Sequence, residues 1–166
     1  TFIPERPLSS GEGRGRVSTD DATSFLATFS DGALGSFQAT RLAPGRKNFL
    51  RLEIFGSKGS LGFNLERMNE LEYFEGSGDP ADQGYKNILV TDATHPYIKA
   101  WWPPGHIIGW EHTFVHQVSE LLEGIGKKKE VPPDFYDGLR CQQVLDAVVQ
   151  STATRSWTEI PEYKNT

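Results

Sequence analysis

The sequence predicts an α+β domain: an open, mostly antiparallel β-sheet of about six or more strands, with two C-terminal helices packed on one face. Three observations predict it. Apolar and polar residues alternate in paired stretches up to residue 91, the period of a half-buried strand. Glycine-bearing turns separate the paired stretches. Beyond Gly109 the apolar spacing lengthens from two residues to three and four, the period of an amphipathic helix.

Taken in order, residues 22–30 and 33–42 flank Ser30-Asp31-Gly32, where Asp-Gly supplies the backbone freedom a tight hairpin demands. Residues 48–55 and 60–66 repeat the arrangement around Gly56-Ser57-Lys58-Gly59, and residues 70–74 and 87–91 read as two more strands. In the third strand Leu50, Leu52 and Ile54 fall on one face and Phe49, Arg51, Glu53 and Phe55 on the other, so one sheet face is apolar and the other mixed. Trp110, Phe114, Val118, Leu121, Leu122 and Ile125 then mark the apolar stripe of a first helix. Pro132-Pro133-Asp134 opens a second helix, with Asp134 as its N-cap and Cys141, Val144, Leu145, Val148 and Val149 as its stripe. The two stripes are expected to cover the apolar sheet face, and residues 157–160 to return as a short last strand. Residues 9–18, 76–84 and 92–109 are loops by composition; the third is long enough to suggest a functional role.

At 166 residues and 37% hydrophobic content the chain suits one domain with one core. A net charge of −5 without a basic stripe argues against nucleic acid as a partner, and Lys127, Lys128 and Lys129 are expected to be a solvated turn after the first helix. The single cysteine, Cys141, is expected to be a buried structural thiol in a reducing compartment. No apolar run is long enough to span a bilayer, and a cytoplasmic location is expected.

Few residues advertise chemistry. Gly11-Glu12-Gly13-Arg14-Gly15 lacks the preceding strand and following helix that a phosphate loop needs, and reads as a flexible loop. His112 and His116 stand four apart, a spacing that can chelate a metal, with Glu111 and Glu120 nearby as candidate oxygen ligands, but they fall opposite the apolar stripe and no further His or Cys is obviously placed to complete a site; a solvated or interface-facing pair is expected, and no metal. His106 lies in a Gly/Pro-framed loop beside Trp101 and Trp102, whose indoles could stack on a sugar ring. The alternative is that the tryptophans cap the sheet edge while His106 satisfies a loop carbonyl. Arg41, Arg46 and Lys47 gather at one turn, either as solvated cations or as donors to hydroxyls and anions, Arg being the better fork. No nucleophile, base or carboxylate pair has a persuasive setting, so no catalytic residue is assigned.

The run Asp20-Asp21-Ala22-Thr23-Ser24-Phe25-Leu26-Ala27-Thr28-Phe29, followed by Gly32-Ala33-Leu34-Gly35-Ser36-Phe37-Gln38-Ala39-Thr40-Arg41, resembles the C-terminal domain of the Gfo/Idh/MocA oxidoreductases. So do Leu52-Glu53-Ile54-Phe55-Gly56-Ser57-Lys58-Gly59-Ser60-Leu61, the Gly105-His106 loop running into Glu111-His112-Thr113-Phe114, Phe135-Tyr136-Asp137-Gly138-Leu139, and Val144-Leu145-Asp146-Ala147-Val148. The resemblance covers nearly the whole chain. It implies NAD(P)-dependent dehydrogenases of sugars, inositols and similar polyols, whose N-terminal Rossmann domain binds NAD or NADP. The second domain supplies substrate contacts and commonly a homo-oligomer interface on its open sheet face. By that resemblance Arg41, Trp101, Trp102 and His106 line the substrate side. The chain lacks the family's Gly-rich cofactor domain, its Glu-Lys-Pro segment and the Asp-x-x-x-His helix, and Thr1 is expected to fall inside a strand. It is therefore expected to be part of a longer enzyme and not catalytic alone; a non-catalytic sheet module for binding or self-association is the alternative.

Overall fold

The computed structural model describes residues 1–161, which fall into two compact units, residues 1–46 with those from 138 onward, and residues 47–137. The α+β class stands, but the strands do not form one sheet. Among the described residues, eight strands build three antiparallel sheets of two, two and four strands.

In the first unit β1 (Glu5–Pro7) pairs with β2 (Arg14–Arg16), so the glycine-rich stretch taken for a flexible loop is in part a hairpin strand. The first strand begins at Glu5 rather than at Thr1. β3 (Ala22–Thr28) pairs with β4 (Leu34–Thr40) in the register Phe25↔Phe37, whose rings stack at 4.9 Å. Their turn forms as expected: Phe29 N–H donates to Ala33 O, and Ala33 N–H to Asp31 Oδ1. Buried Asp21 ties down the preceding segment by accepting from the Phe2 and Ile3 N–H groups and pairing with Arg6. The Ile3 N–H foremost holds its carboxyl below the ordinary range, against the opposing effect of burial.

In the second unit β5 (Arg51–Gly56), β6 (Gly59–Asn64), β7 (Glu70–Glu75) and β8 (Lys86–Leu89) lie in chain order. The register puts Leu52, Ile54, Leu61, Phe63, Leu71 and Ile88 on one face. The other carries a fork in which Arg51 donates to both Glu72 oxygens (3.1 and 2.6 Å) and to Glu53 (2.8 Å). A Cβ at Gly62 would sit 2.6 Å from Glu72 Oε2, so glycine gives the ion pair its room.

Helix α1 (Trp110–Lys127) and helix α2 (Phe135–Thr154) take the predicted places. Asp134 caps α2 by accepting from the Tyr136 and Asp137 N–H groups, and Asp137 accepts in return from Asp134 N–H. Within the second unit α1 leaves much of the apolar sheet face open: Ile54 is 53% exposed and Leu122 of the α1 stripe 63%. More than half of each side chain is left to solvent. Cys141 is exposed rather than buried, because α2 turns Val144, Ala147, Val148 and Ser151 toward β3 instead. Residues 157–160 form no strand. No helix among the described residues is long and apolar enough to cross a membrane.

Candidate functional site

The segment from Val90 to Gly109 has no regular structure beyond one 3₁₀ turn (Ile98–Ala100), yet its backbone is tied at several points. Val90 N–H donates to Asn69 O, and Asp92 Oδ1 accepts from Thr94 N–H (2.9 Å) and its hydroxyl (2.8 Å). Those two donors hold the Asp92 carboxyl below its ordinary range. Ile98, only 1% exposed, is the buried plug beneath the turn. Gly105 takes φ +89°, a backbone that side-chain-bearing residues avoid, and its N–H reaches Thr91 O. The Asn69 amide then grips Ile108 on both sides, donating to its carbonyl (2.8 Å) and accepting from its N–H (3.0 Å). A long loop pinned at entry, middle and exit is a built structure, which is what presenting a site requires.

The loop lays its aromatic side chains on α1. His112, three residues into the helix, accepts the Gly109 N–H at Nδ1 (3.0 Å), a reciprocal cap that fixes the ring. One turn on, His116 is stacked by the Tyr97 ring (4.3 Å between centroids, 13° between planes) and accepts at Nε2 from Trp101 Nε1–H (2.6 Å). Trp101 also meets His112 edge-on at 4.4 Å, and Trp102 lies 6.4 Å from both Trp101 and His112. The Tyr97 hydroxyl donates to Glu120, which raises its pKa above the ordinary phenol value. Burial, then the neighbouring His112, pushes His116 below the ordinary imidazole value, with Glu120 opposing.

The two histidines are therefore not a solvated pair. The loop runs back over the helix face opposite the apolar stripe, and ring contacts leave both imidazoles only partly exposed. Each ring already spends one nitrogen as an acceptor, and no group of three or more metal-ligating side chains occurs among the described residues.

Of the residues singled out from sequence, Trp101 and Trp102 come together in this cluster, with Trp102 46% exposed. His106 is exposed, with Nδ1 3.0 Å from Pro103 O. Because a carbonyl only accepts, that contact places a proton on Nδ1, and in the neutral imidazole Nε2 then keeps a lone pair that can accept from a hydroxyl. Arg41 follows β4 in the other unit, its backbone N–H on Asp21 O. Sequence reasoning passed over Tyr97 and Asn69, and it read His112 and His116 as a solvated or interface-facing pair, without their loop partners. The signal for the last two was present: two imidazoles at helical spacing directly after a loop of three aromatic rings.

The first unit has an open cleft of about 750 Å³ between β3 and α2, lined by Phe25, Leu26, Val144, Val148 and Trp157, with Arg155 at its side. Residues 11–15 lie around the β1–β2 turn with no helix after them, so they offer no row of amides to a dinucleotide pyrophosphate, and no step through such a cofactor follows from this chain.

Comparison with known proteins supplies the context. The model of the oxidoreductase family, C-terminal alpha/beta domain (Gfo/Idh/MocA), matches residues 5–160. The chain belongs to this oxidoreductase family. Among curated relatives, levoglucosan dehydrogenase of Pseudarthrobacter phenanthrenivorans is 37% identical across 98% of this chain and 45% of its own length. Among solved structures, an oxidoreductase domain protein from Kribbella flavida superposes with a TM-score of 0.92 at 52% identity, over 98% of this chain and 42% of that one. Levoglucosan dehydrogenase in complex with NADH and levoglucosan superposes at 0.90 with 36% identity, over 98% of this chain and 43% of that one. The chain thus spans less than half the length of these Gfo/Idh/MocA relatives, over the family's C-terminal domain.

Proposed function

We propose that this chain is the substrate-facing and self-associating portion of a cytoplasmic NAD(P)-dependent dehydrogenase acting on a sugar, inositol or similar polyol. The observation that carries the reading is the pinned aromatic loop, with its half-exposed Trp102 indole and its His106 acceptor nitrogen. Sugar rings offer apolar C–H faces to indole and hydroxyls to such an acceptor, which is what the loop provides. A relative that shares the fold over this chain is a levoglucosan dehydrogenase solved with NADH and levoglucosan. In this reading Trp101 and Trp102 form the stacking surface and His106 accepts a hydroxyl. The nicotinamide and the base that takes the hydroxyl proton belong to polypeptide outside the chain.

The full-length protein, assayed with a polyol panel and both nicotinamides, tests this. Trp102→Ala and His106→Ala are each expected to lower kcat/KM roughly tenfold, about 1.4 kcal/mol of transition-state binding. Unchanged kcat/KM for both variants on every oxidised polyol overturns the site. A second reading, a binding or self-association module without catalysis, draws on the apolar sheet face, where Leu52 and Ile54 are each 53% exposed. Sedimentation of Ile54→Lys against the parent chain tests that face: a fall in mass supports its use as an interface, and a monomeric parent removes it.

A further inference from the structure

The face of α1 that looks into the aromatic loop has a chemistry the dehydrogenase reading leaves unused. Among the described residues, the hydrogen-bonding, ring and charged neighbours of His116 are four. Its own helix brings His112 one turn before and Glu120 one turn after, and the loop brings the Tyr97 ring and the Trp101 indole N–H. No lysine or arginine is among them. An indole N–H donates and never accepts, so the observed contact requires a lone pair on His116 Nε2. A proton there would set two N–H groups against each other. His112 is bound by the same logic: its Nδ1 must keep a lone pair for the Gly109 N–H, with the exposed Glu111 carboxylate 3.6 Å away as its only acidic neighbour among the ion pairs described. The His112 ring one turn away adds to the burial that disfavours a proton on His116.

The loop side of this contact is under backbone strain. Tyr97 sits at φ +67°, ψ −32°, outside the regions open to side-chain-bearing residues. Two side-chain contacts with α1 hold it there, the stack on His116 and the hydroxyl bond to Glu120. Loss of either lets the Tyr97 backbone relax, and Trp101 follows four residues later, on the far side of the 3₁₀ turn that Tyr97 precedes.

We propose that the Trp101–His116 hydrogen bond and the Tyr97–Glu120 bond together form an acid-released clasp, which sets the placement of Trp101 and Trp102 and makes His116 a positioning residue for the sugar-stacking surface. The positioning role rests on the reading above that these indoles face substrate; the clasp itself does not. The direction follows from linkage. His116 in the clasped loop takes up a proton less readily than in the released loop, so the clasp is intact at neutral pH. It loses stability as the pH falls below about 6.5, the ordinary imidazole value, and loses no more once both forms are protonated.

The test follows the Trp101 indole N–H resonance in the ¹⁵N-labelled full-length protein from about pH 8 to about pH 5, the range in which histidine titrates, with Trp101→Phe assigning the signal. In the parent protein the signal should move toward the free-indole position on acidification. In His116→Gln, whose amide oxygen accepts the same N–H without titrating, it should stay in place. The KM for the polyol should rise several-fold with acid in the parent and stay level in His116→Gln. An indole signal that ignores pH in the parent overturns the clasp, and a KM with the same pH course in both proteins overturns the positioning role. Should His116→Gln fail to fold, the imidazole titration of His116 in Trp101→Phe substitutes: removal of the donor should raise its midpoint toward the ordinary value, and an unmoved midpoint overturns the clasp. If the indole moves as expected while Trp102→Ala and His106→Ala leave kcat/KM intact, the substrate site fails and the clasp stands.

Discussion

On α1, the face carrying His112, His116 and Glu120 is covered by its own chain, whereas the face carrying Phe114, Val118, Leu121 and Ile125 is between 53% and 66% exposed. The covering loop ends where the helix begins, so bringing the two together costs little closure entropy, and its rings find hydrogen-bond partners on arrival. The apolar stripe needs a broad apolar surface instead, because hydrophobic attraction is non-directional and grows with the area buried. Apolarity thus marks where a helix seeks cover, and local polar chemistry decides what its own chain can supply.

The comparison breaks most severely at Asn69, which fastens the end of the loop to the β6–β7 connection through two bonds to Ile108. Asn69→Ala leaves the Ile108 N–H and carbonyl without their partner and is expected to cost about 1–3 kcal/mol in urea unfolding, with the Trp101 indole signal shifting toward its free position. Full stability with an unmoved indole would mean that the rings alone hold the loop. A smaller effect, about 1 kcal/mol, is expected of Trp101→Phe, which keeps an aromatic ring on His112 but removes the donor to His116. Water can replace part of that bond, since the site is only half-buried.

The features legible in the sequence are those whose cause is local. The Asp31-Gly32 turn, the Gly56 to Gly59 hairpin and the Asp134 cap depend on a few adjacent residues, and each appears where its chemistry put it. Features that depend on distant partners were not legible. Alternation at period two identifies strands without saying which sheet they join, so three sheets stood concealed behind one pattern. The short β1–β2 pair is three residues a side, too brief for periodicity to register. Helical spacing placed His112 and His116 opposite the stripe correctly, but an angle on a helical wheel carries no information about a loop that folds back over it. Trp101 was visible as a loop aromatic, and its imidazole partner was not. Cys141 failed for a related reason: it falls on a continuous apolar stripe, of which only Val144, Ala147, Val148 and their cleft-facing neighbours meet β3.

The smallest effect is expected on the open face. Leu121→Ser removes an aliphatic side chain that is already 53% exposed, so in dilute solution it should change stability by less than about 0.5 kcal/mol. Its cost should grow with protein concentration if a second copy covers the stripe, because a ligand that binds only the folded form adds stability by mass action. A rise toward about 2 kcal/mol at high concentration, the value of a fully buried leucine, would assign the stripe to self-association. A cost near 2 kcal/mol already in dilute solution would show that the stripe is packed within the monomer. The contrast between the two faces of α1 would then vanish, and with it the reason for expecting an outside partner.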